Sequence, residues 1–384
     1  MRRGRIIRPW IGVGVVVGAT LFGTGCASST TVNASVDEPS CGGTIAVMAP
    51  ITSGAAQVGR EQVNFAQLAV DDFNAENGST YSTIEFDTML SAAEAAKQAQ
   101  IVSDDAAVVA VVGPSSSQEV AAVGPVFAGA GLAFVSGAAT RPDLTDGSNP
   151  GFFRVVPHDS LQGVTAVDFI ANELGAERVV VLAEQTEYGI GLSAAVEEGL
   201  GASGVAVEVI PVLEDETRFD QIVDLVPMET DVVFATFQVG AKTQKVADLL
   251  RQGGNQAVMF GSESSFSPDF SMPGSYVTAI SPILAGVPGA DGVIDRYTST
   301  YGSFGPYGAP TYVAMQAVLD AAQRACMTSG EPADRAGILA ELPSTDIPDS
   351  ILGYAVEFET NGDSKNATFA VLTIDESGAF VNVP

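Results

Sequence analysis

Short apolar segments that alternate with amphipathic ones constrain the fold of this chain more than any other feature of its sequence. The run at 107–112 (AVVAVV) is continuous and β-branched, as expected of a parallel strand covered on both faces. In the segment 59–77, Val63, Ala66 and Val70 recur at helical spacing and share one face. Strands and helices then alternate along most of the chain, which predicts an α/β fold of parallel, doubly wound sheets.

The predicted strands form two series, which indicates two sheets and two Rossmann-like lobes. The predicted strands are 44–49, 84–89, 107–112, 132–136, 152–156, 178–183, 205–212, 231–236 and 258–261. The predicted helices are 59–77, 92–103, 159–174, 189–200, 219–225, 242–252 and 311–326. A strand-rich end follows at 352–383.

The first 26 residues have the pattern of an export signal. A basic start is followed by a 12-residue apolar stretch at 11–22, which is short for a membrane span and typical of a signal peptide. Small residues then precede Cys26, and this arrangement resembles the bacterial lipobox, in which the cysteine is acylated. We predict a signal peptide at 1–25, lipidation of Cys26 and a flexible tether at 26–42, which would hold the protein to the extracytoplasmic face of the cell membrane. Plain signal-peptidase cleavage without lipidation is the alternative.

Two cysteines, Cys41 and Cys326, remain after the predicted cleavage. An even number of cysteines in an exported chain suggests a disulfide, here one that ties the start of the fold to a late helix. Two buried thiols are the alternative.

Composition and motifs argue against several classes of function. The 46 acidic residues outnumber 17 basic ones, so nucleic acid is excluded as a partner, because phosphate binding needs clustered lysine and arginine. His158 is the only histidine, which excludes a histidine-based metal cluster, and the chain has neither a G-x-S-x-G elbow nor a Walker A sequence. We therefore predict a monomeric protein that is not an enzyme and holds no cofactor or metal.

Candidate binding residues follow the predicted strands, where ligands of open α/β sheets are held. Ser116 and Ser117 lie where a strand gives way to a helix, and their hydroxyls and free amides can receive a carboxylate. Thr140 and the carbonyl of Ala138 follow the next strand and can accept hydrogen bonds from an ammonium group.

Two further candidates lie in the second series of strands. Tyr188 comes soon after the strand 178–183, and Glu263 follows the strand 258–261. A carboxylate in a closing cleft suits a ligand ammonium group. N-capping, an ordinary strand-to-loop exit and surface exposure are the structural alternatives for these positions.

Several stretches together resemble the leucine/isoleucine/valine-binding family, the type I periplasmic substrate-binding proteins of ATP-driven branched-chain amino acid importers. The most specific stretches are 54–59 (GAAQVG), 113–117 (GPSSS), 136–145 (SGAATRPDLT), 153–154 (FR) and 187–191 (EYGIG). The family often has an aromatic residue at the position of Val58 and another near Gln238, and this sequence departs at both.

The resemblance implies a role for each candidate residue. Ser116 and Ser117 would bind the ligand's α-carboxylate, while Ala138, Thr140 and Glu263 would meet its ammonium group. Tyr188 would cover the ligand from the second lobe. The closed form would then be recognised by a membrane permease of the transporter.

The resemblance also implies a division into lobes. The first would comprise 43–155 and 281–352, and the second 156–280 and 353–384, joined by hinge crossings near 155–158, 277–283 and 352–356. The alternatives are a receptor of the same fold that senses an amide, urea or another small solute, an exported α/β enzyme, and a structural or adhesive surface lipoprotein.

Overall fold

A computed structural model describes residues 41–280, 283–285 and 287–383 of the chain. The predicted signal peptide, Cys26 and the tether up to residue 40 lie outside these residues. Among the helices in the described ranges, none is both long and apolar enough to span a lipid bilayer.

The first lobe is built on a five-stranded sheet in which every strand is parallel to its neighbours. Its strands are β1 (Gly42–Ala49), β2 (Thr80–Asp87), β3 (Val108–Val112), β4 (Phe134–Ser136) and β5 (Phe152–Arg154). They lie in the order β2-β1-β3-β4-β5. The connecting helices are α1 (Ala56–Asn77), α2 (Ala92–Asp104) and α3 (Ser117–Ala130).

The second lobe is built on a seven-stranded sheet. Its strands are β6 (Arg178–Glu184), β7 (Ala206–Val212), β8 (Val232–Ala235), β9 (Val258–Gly261), β10 (Tyr276–Ala279), β13 (Ala370–Ile374) and β14 (Phe380–Asn382). Between β10 and β13 along the chain, β11 (Asp346–Ile347) and β12 (Val356–Glu357) form a separate two-stranded pair. The sheet order is β14-β13-β10-β9-β8-β6-β7, and β13 and β14 are antiparallel additions at one edge. Its helices are α4 (Asp159–Asp168), α5 (Glu187–Ala202), α6 (Phe219–Val223) and α7 (Gly240–Gln252).

Both faces of each sheet are covered, as the apolar strands require. In β1, Ile45 and Val47 point to the core beneath α1, whereas Ala46 and Met48 point to the core beneath α2 and α3. This alternation is the two-residue period of a strand. The second sheet has a core on each face in the same way. The predicted fold class, two Rossmann-like doubly wound lobes, is therefore confirmed.

Three helices late in the chain complete the first lobe: α8 (Ala290–Tyr301), α9 (Gly308–Ser329) and α10 (Arg335–Glu341). The sequence predicted only the middle one. In the structure, Cys41 at the start of β1 is joined to Cys326 on α9 by a disulfide, with their Cα atoms 5.8 Å apart. The bridge ties the start of the first sheet to the helix that covers it.

The chain returns to the second lobe later than predicted. Val356, Phe358 and Phe369 belong to the core of the first lobe, and the chain joins the second sheet only at β13. The physical reason lies at the edge strand β5, where the Arg154 amide donates to the Gly362 carbonyl oxygen at 3.0 Å and its buried guanidinium pairs with Asp363. These contacts hold the segment on the first lobe. Residues 281 and 282 of the predicted second crossing lie outside the described ranges. Apart from the third crossing, the division into lobes stays a prediction.

Candidate functional site

The six candidate ligand residues line one cavity between the two sheets. Ser116, Ser117, Ala138 and Thr140 come from the first lobe, and Tyr188 and Glu263 come from the second. The other lining residues are Pro50, Ala55, Val58, Leu90, Ser115, Gln238, Ser264 and Tyr307. The cavity lies at the carboxyl ends of the parallel strands, where the sequence placed it.

The serine stretch is positioned by a glycine at the end of β3. Gly113 has φ of +97°, and a Cβ there would lie 2.2 Å from the Met48 carbonyl oxygen, so a side chain could not be accommodated. The chain turns at this glycine and brings Ser115, Ser116 and Ser117 to the amino end of α3.

The three serine hydroxyls have different partners. The Ser115 hydroxyl donates to the Gln62 side-chain oxygen at 2.6 Å. The Ser117 hydroxyl oxygen accepts from the Arg141 amide at 3.2 Å, which leaves its proton free to donate. The Ser116 hydroxyl is buried and belongs to the capping box at the start of α3, where its oxygen accepts from the backbone of Glu119 and the Glu119 side chain accepts from the Ser116 amide at 2.9 Å. Ser116 and Ser117 can therefore donate to an anionic group in the cavity.

The loop after β4 is held by Ser136. Its hydroxyl donates to the Pro114 carbonyl oxygen at 2.7 Å and accepts from the amides of Ala138 and Ala139. This arrangement places Ala138 and Thr140 against the cavity. Both residues are buried, with exposed fractions of 7% and 1%.

The second lobe presents Glu263 within a network of hydrogen bonds. The Tyr188 hydroxyl and the Gln162 amide nitrogen both donate to Oε2 of Glu263, the latter at 2.5 Å. Ser264 donates to Oε1 at 3.2 Å, and Tyr307 of the first lobe donates to the Ser264 hydroxyl at 3.0 Å. Glu263 is 2% exposed, so this acid is fixed in orientation and removed from water.

Asp159 is a second buried acid at this site, and the sequence reasoning missed it as a functional candidate. It is the first residue of α4, its amide donates to the Thr140 carbonyl oxygen at 2.8 Å, and it is 1% exposed. Asp159 and Gln162 lie three residues apart on the same helix face. That spacing was the signal available in the sequence.

Burial controls the protonation of both acids. It raises the pKa of the Asp159 carboxyl to about 8, with the nearby Glu263 contributing in the same direction, while the Thr140 hydroxyl and Arg154 oppose the rise. Burial likewise raises the pKa of Glu263, against the hydrogen bonds that it accepts. A cation in the cavity would offset the cost of holding these acids out of water.

Side chains from the two lobes also contact each other around the cavity. Arg141 pairs with Glu187 at the start of α5, and the Gln118 amide donates to the Gln238 side-chain oxygen at 3.1 Å. The cavity thus has donors for an anion on one side and buried acids for a cation on the other. This arrangement suits a small zwitterion.

The structure supports no metal centre within the described residues, where no group of three or more histidine, cysteine or acidic side chains could hold a metal ion. His158 precedes α4, where it is half-buried. Burial lowers its pKa, with nearby Arg154 acting in the same direction.

Comparisons with known proteins agree with this architecture. A family model described as "Periplasmic binding protein" matches residues 43–379. A protein of Pseudomonas aeruginosa named "Amino acid binding protein" is 24% identical, over 88% of this chain and 92% of its own length.

Two solved structures are similar in fold. A leucine binding protein from Thermotoga maritima superposes with a TM-score of 0.80 at 23% identity, covering 89% of this chain and 97% of its own. The branched-chain amino acid transporter substrate binding protein LivJ from Streptococcus pneumoniae, in complex with isoleucine, gives 0.79 at 22% identity, covering 88% and 99%.

Proposed function

This chain belongs to the periplasmic binding protein family, and from that premise we propose that it is an extracytoplasmic receptor that captures an α-amino acid between its lobes. The family resemblance inferred from the sequence is thereby confirmed. The observation that carries the proposal is the meeting of hydroxyls from one lobe and a buried acid from the other in one cavity. The names of the relatives, an amino acid binding protein and a structure with isoleucine, support the same ligand class.

Each group in the cavity has a proposed role. The hydroxyls of Ser116 and Ser117 bind the α-carboxylate, since hydrogen bonds to a charged group are stronger than those between neutral groups. The Ala138 carbonyl and the Thr140 hydroxyl accept from the α-ammonium group, which pairs with Glu263. Tyr188 orients Glu263 through its hydroxyl and covers the ligand.

Contacts from both lobes give the ligand a higher affinity for the closed form than for the open one. A ligand shifts a conformational equilibrium only through such differential affinity. We therefore propose hinge closure on binding, with the closed form recognised by an ATP-driven permease. The proposed lobes are those predicted from the sequence, with the third crossing displaced towards β13.

A thermal-shift screen of the purified protein tests the ligand class. The screen should contain the common amino acids, urea and small amides. It should also contain analogues of the amino acids in which an amide replaces the carboxylate or a hydroxyl replaces the ammonium group. We expect α-amino acids to raise the melting temperature, because a ligand that binds the native state stabilises it by mass action. Analogues that lack the carboxylate or the ammonium group should not raise the melting temperature. Stabilisation by urea or simple amides alone would overturn the proposal and favour the sensing receptor.

The proposed membrane attachment depends on Cys26. In the producing cell, we expect the protein to sediment with membranes and the Cys26→Ala variant to be released or left unprocessed. Equal distribution of the two proteins, with both cleaved before residue 26, would refute lipidation.

A further inference from the structure

A second cavity adjoins the first. The two cavities share five lining residues, which are Ala55, Val58, Gln238, Ser264 and Tyr307. The ligand anchors line only the first cavity. A side chain that leaves the anchored α-carbon between Val58 and Gln238 would therefore enter the second.

The junction between the cavities is bordered by one large side chain, Tyr307, whose hydroxyl donates to the Ser264 hydroxyl at 3.0 Å. Val58 is a short residue on α1, and it is only partly buried. The Gln238 side chain is held by Gln118 at 3.1 Å, and its backbone amide donates to Glu184 at 2.9 Å. The Gln238 side chain and backbone are thus oriented by contacts made within the protein.

The far wall of the second cavity is held in place by Glu61. The carboxylate of this residue accepts hydrogen bonds from the amides of Gly305 and Gly308, each at 2.5 Å. A Cβ at Gly308 would lie 2.2 Å from the Phe65 ring, so this part of the wall is closely packed. The second cavity is consequently a defined space with a fixed boundary.

The lining of the second cavity has a definite chemical character. Phe266 and Val239 supply apolar surface, and Gln57 supplies a hydrogen-bonding group. Its charged lining residues in the described part of the chain are both acids, Glu61 and Asp269. Burial raises the pKa of Glu61 to about 7, so this residue carries partial negative charge near neutral pH. A second carboxylate placed here would meet like charge, and among the described lining residues no lysine or arginine side chain offsets it beside the amino end of α7 at Gly240.

We infer that the ligand is an α-amino acid with a long side chain that carries no negative charge, and that this side chain occupies the second cavity. The inference rests on the proposed function, because the anchors of the first cavity fix where the side chain begins. It names the substrate class that the same site selects: long neutral or cationic side chains are accepted, and long anionic ones are rejected.

Calorimetric titration with a matched set of L-amino acids tests the inference. The set comprises alanine and valine as short ligands, norleucine, citrulline and arginine as long ligands without negative charge, and 2-aminoadipate as a long anionic ligand. We expect at least one of norleucine, citrulline and arginine to bind at least tenfold more tightly than alanine, valine and 2-aminoadipate.

A variant that narrows the junction separates the side-chain site from the anchors. Val58→Phe should weaken the affinity for the best long ligand at least tenfold, while the affinity for valine should stay within about threefold of the parent value. Gln238→Phe narrows the junction from the other lobe and should act in the same direction. Val164→Phe, at a position 67% exposed on α4, is the matched control and should change neither affinity. Thermal unfolding of each variant verifies that it is folded.

The possible failures are distinguishable. If short ligands bind as tightly as long ones, or if Val58→Phe weakens all ligands equally, the second cavity does not hold the side chain and only this inference is overturned. If no amino acid of any length binds, the proposed function itself is refuted.

Discussion

Replacing Glu263 by glutamine removes the negative charge of this residue and keeps its size. The glutamine oxygen can accept from Tyr188 and Gln162 in place of Oε2, and its NH₂ group can donate to the Ser264 hydroxyl, which is a donor to Glu263 in the parent protein. The network around the residue therefore remains satisfied. The change isolates the charge from the packing.

The expected loss of affinity follows from the burial of the site. Glu263 is 2% exposed, and truncating one partner of a buried, hydrogen-bonded charge pair costs about 2–5 kcal/mol. Glutamine keeps one acceptor oxygen, which places Glu263→Gln in the lower half of this range, at about 2–3 kcal/mol. The dissociation constant for the amino acid should rise by about 30- to 150-fold.

In the ligand-free protein, the same substitution should preserve or raise the stability of the fold. Burial raises the pKa of Glu263, and an acid whose pKa is raised by folding loses its stabilising contribution as the pH rises through the folded value. Glutamine does not titrate. At pH 8 the ligand-free Glu263→Gln protein should therefore be at least as stable as the parent.

Isothermal titration calorimetry and thermal unfolding measure the two effects. Glu197→Gln, at an exposed position on α5, is the matched control and should leave both unchanged. An affinity within threefold of the parent would refute the pairing of Glu263 with the ligand. A large drop in the melting temperature of the ligand-free variant would show that the charge serves folding rather than binding.

Two further predictions concern stability. Burial raises the pKa of Asp159 to about 8, so the folded protein keeps a proton there that the unfolded chain loses near pH 4, and stability should fall by up to about 1.4 kcal/mol per pH unit between these values. Urea unfolding at pH 5 and pH 8 should show a weaker pH dependence in Asp159→Asn, and an equal one would contradict the assignment. Replacing Cys41 and Cys326 together by serine should lower the free energy of unfolding by about 2–5 kcal/mol, because their bridge closes a loop with a sequence separation of 285. An unchanged urea midpoint would count against this.

The sequence predicted the location of the site because parallel strands impose it. Residues that follow different strands of one sheet meet at the same edge, whatever their separation along the chain. Ser117 and Thr140 are brought together in this way in the first lobe, and Tyr188 and Glu263 in the second.

Helix α8 was missed because its local signal is weak. Its buried residues Ala290, Val293 and Tyr297 have helical spacing, but most of the remaining residues are polar and the segment is preceded by Gly289. The helix is secured by tertiary packing, in which the Tyr297 ring stacks on Phe65 of α1 with 4.0 Å between their centroids. Neither the helix propensity of the segment nor the spacing of its apolar residues reveals such a contact.

The third crossing was misplaced for a related reason. The local pattern near 352–356 suggested a return to the second lobe, whereas Arg154 binds Asp363, 209 residues further along the chain. Asp159 was overlooked because it begins a helix rather than ending a strand. In each case the deciding interaction is nonlocal, and a single sequence does not record it.

The charges at the site also explain why closure should depend on the ligand. One contact between the lobes that needs no ligand is modest: Glu187, the partner of Arg141, is 62% exposed, and exposed ion pairs contribute about 0–1 kcal/mol. Against it stand two buried acids, Asp159 and Glu263, whose ionised forms are costly in a closed and empty cavity. In the proposed hinge closure, an ammonium group would reverse that balance, because it would pair with Glu263 when the lobes meet. The buried acids would then also make closure selective for an amine-bearing ligand.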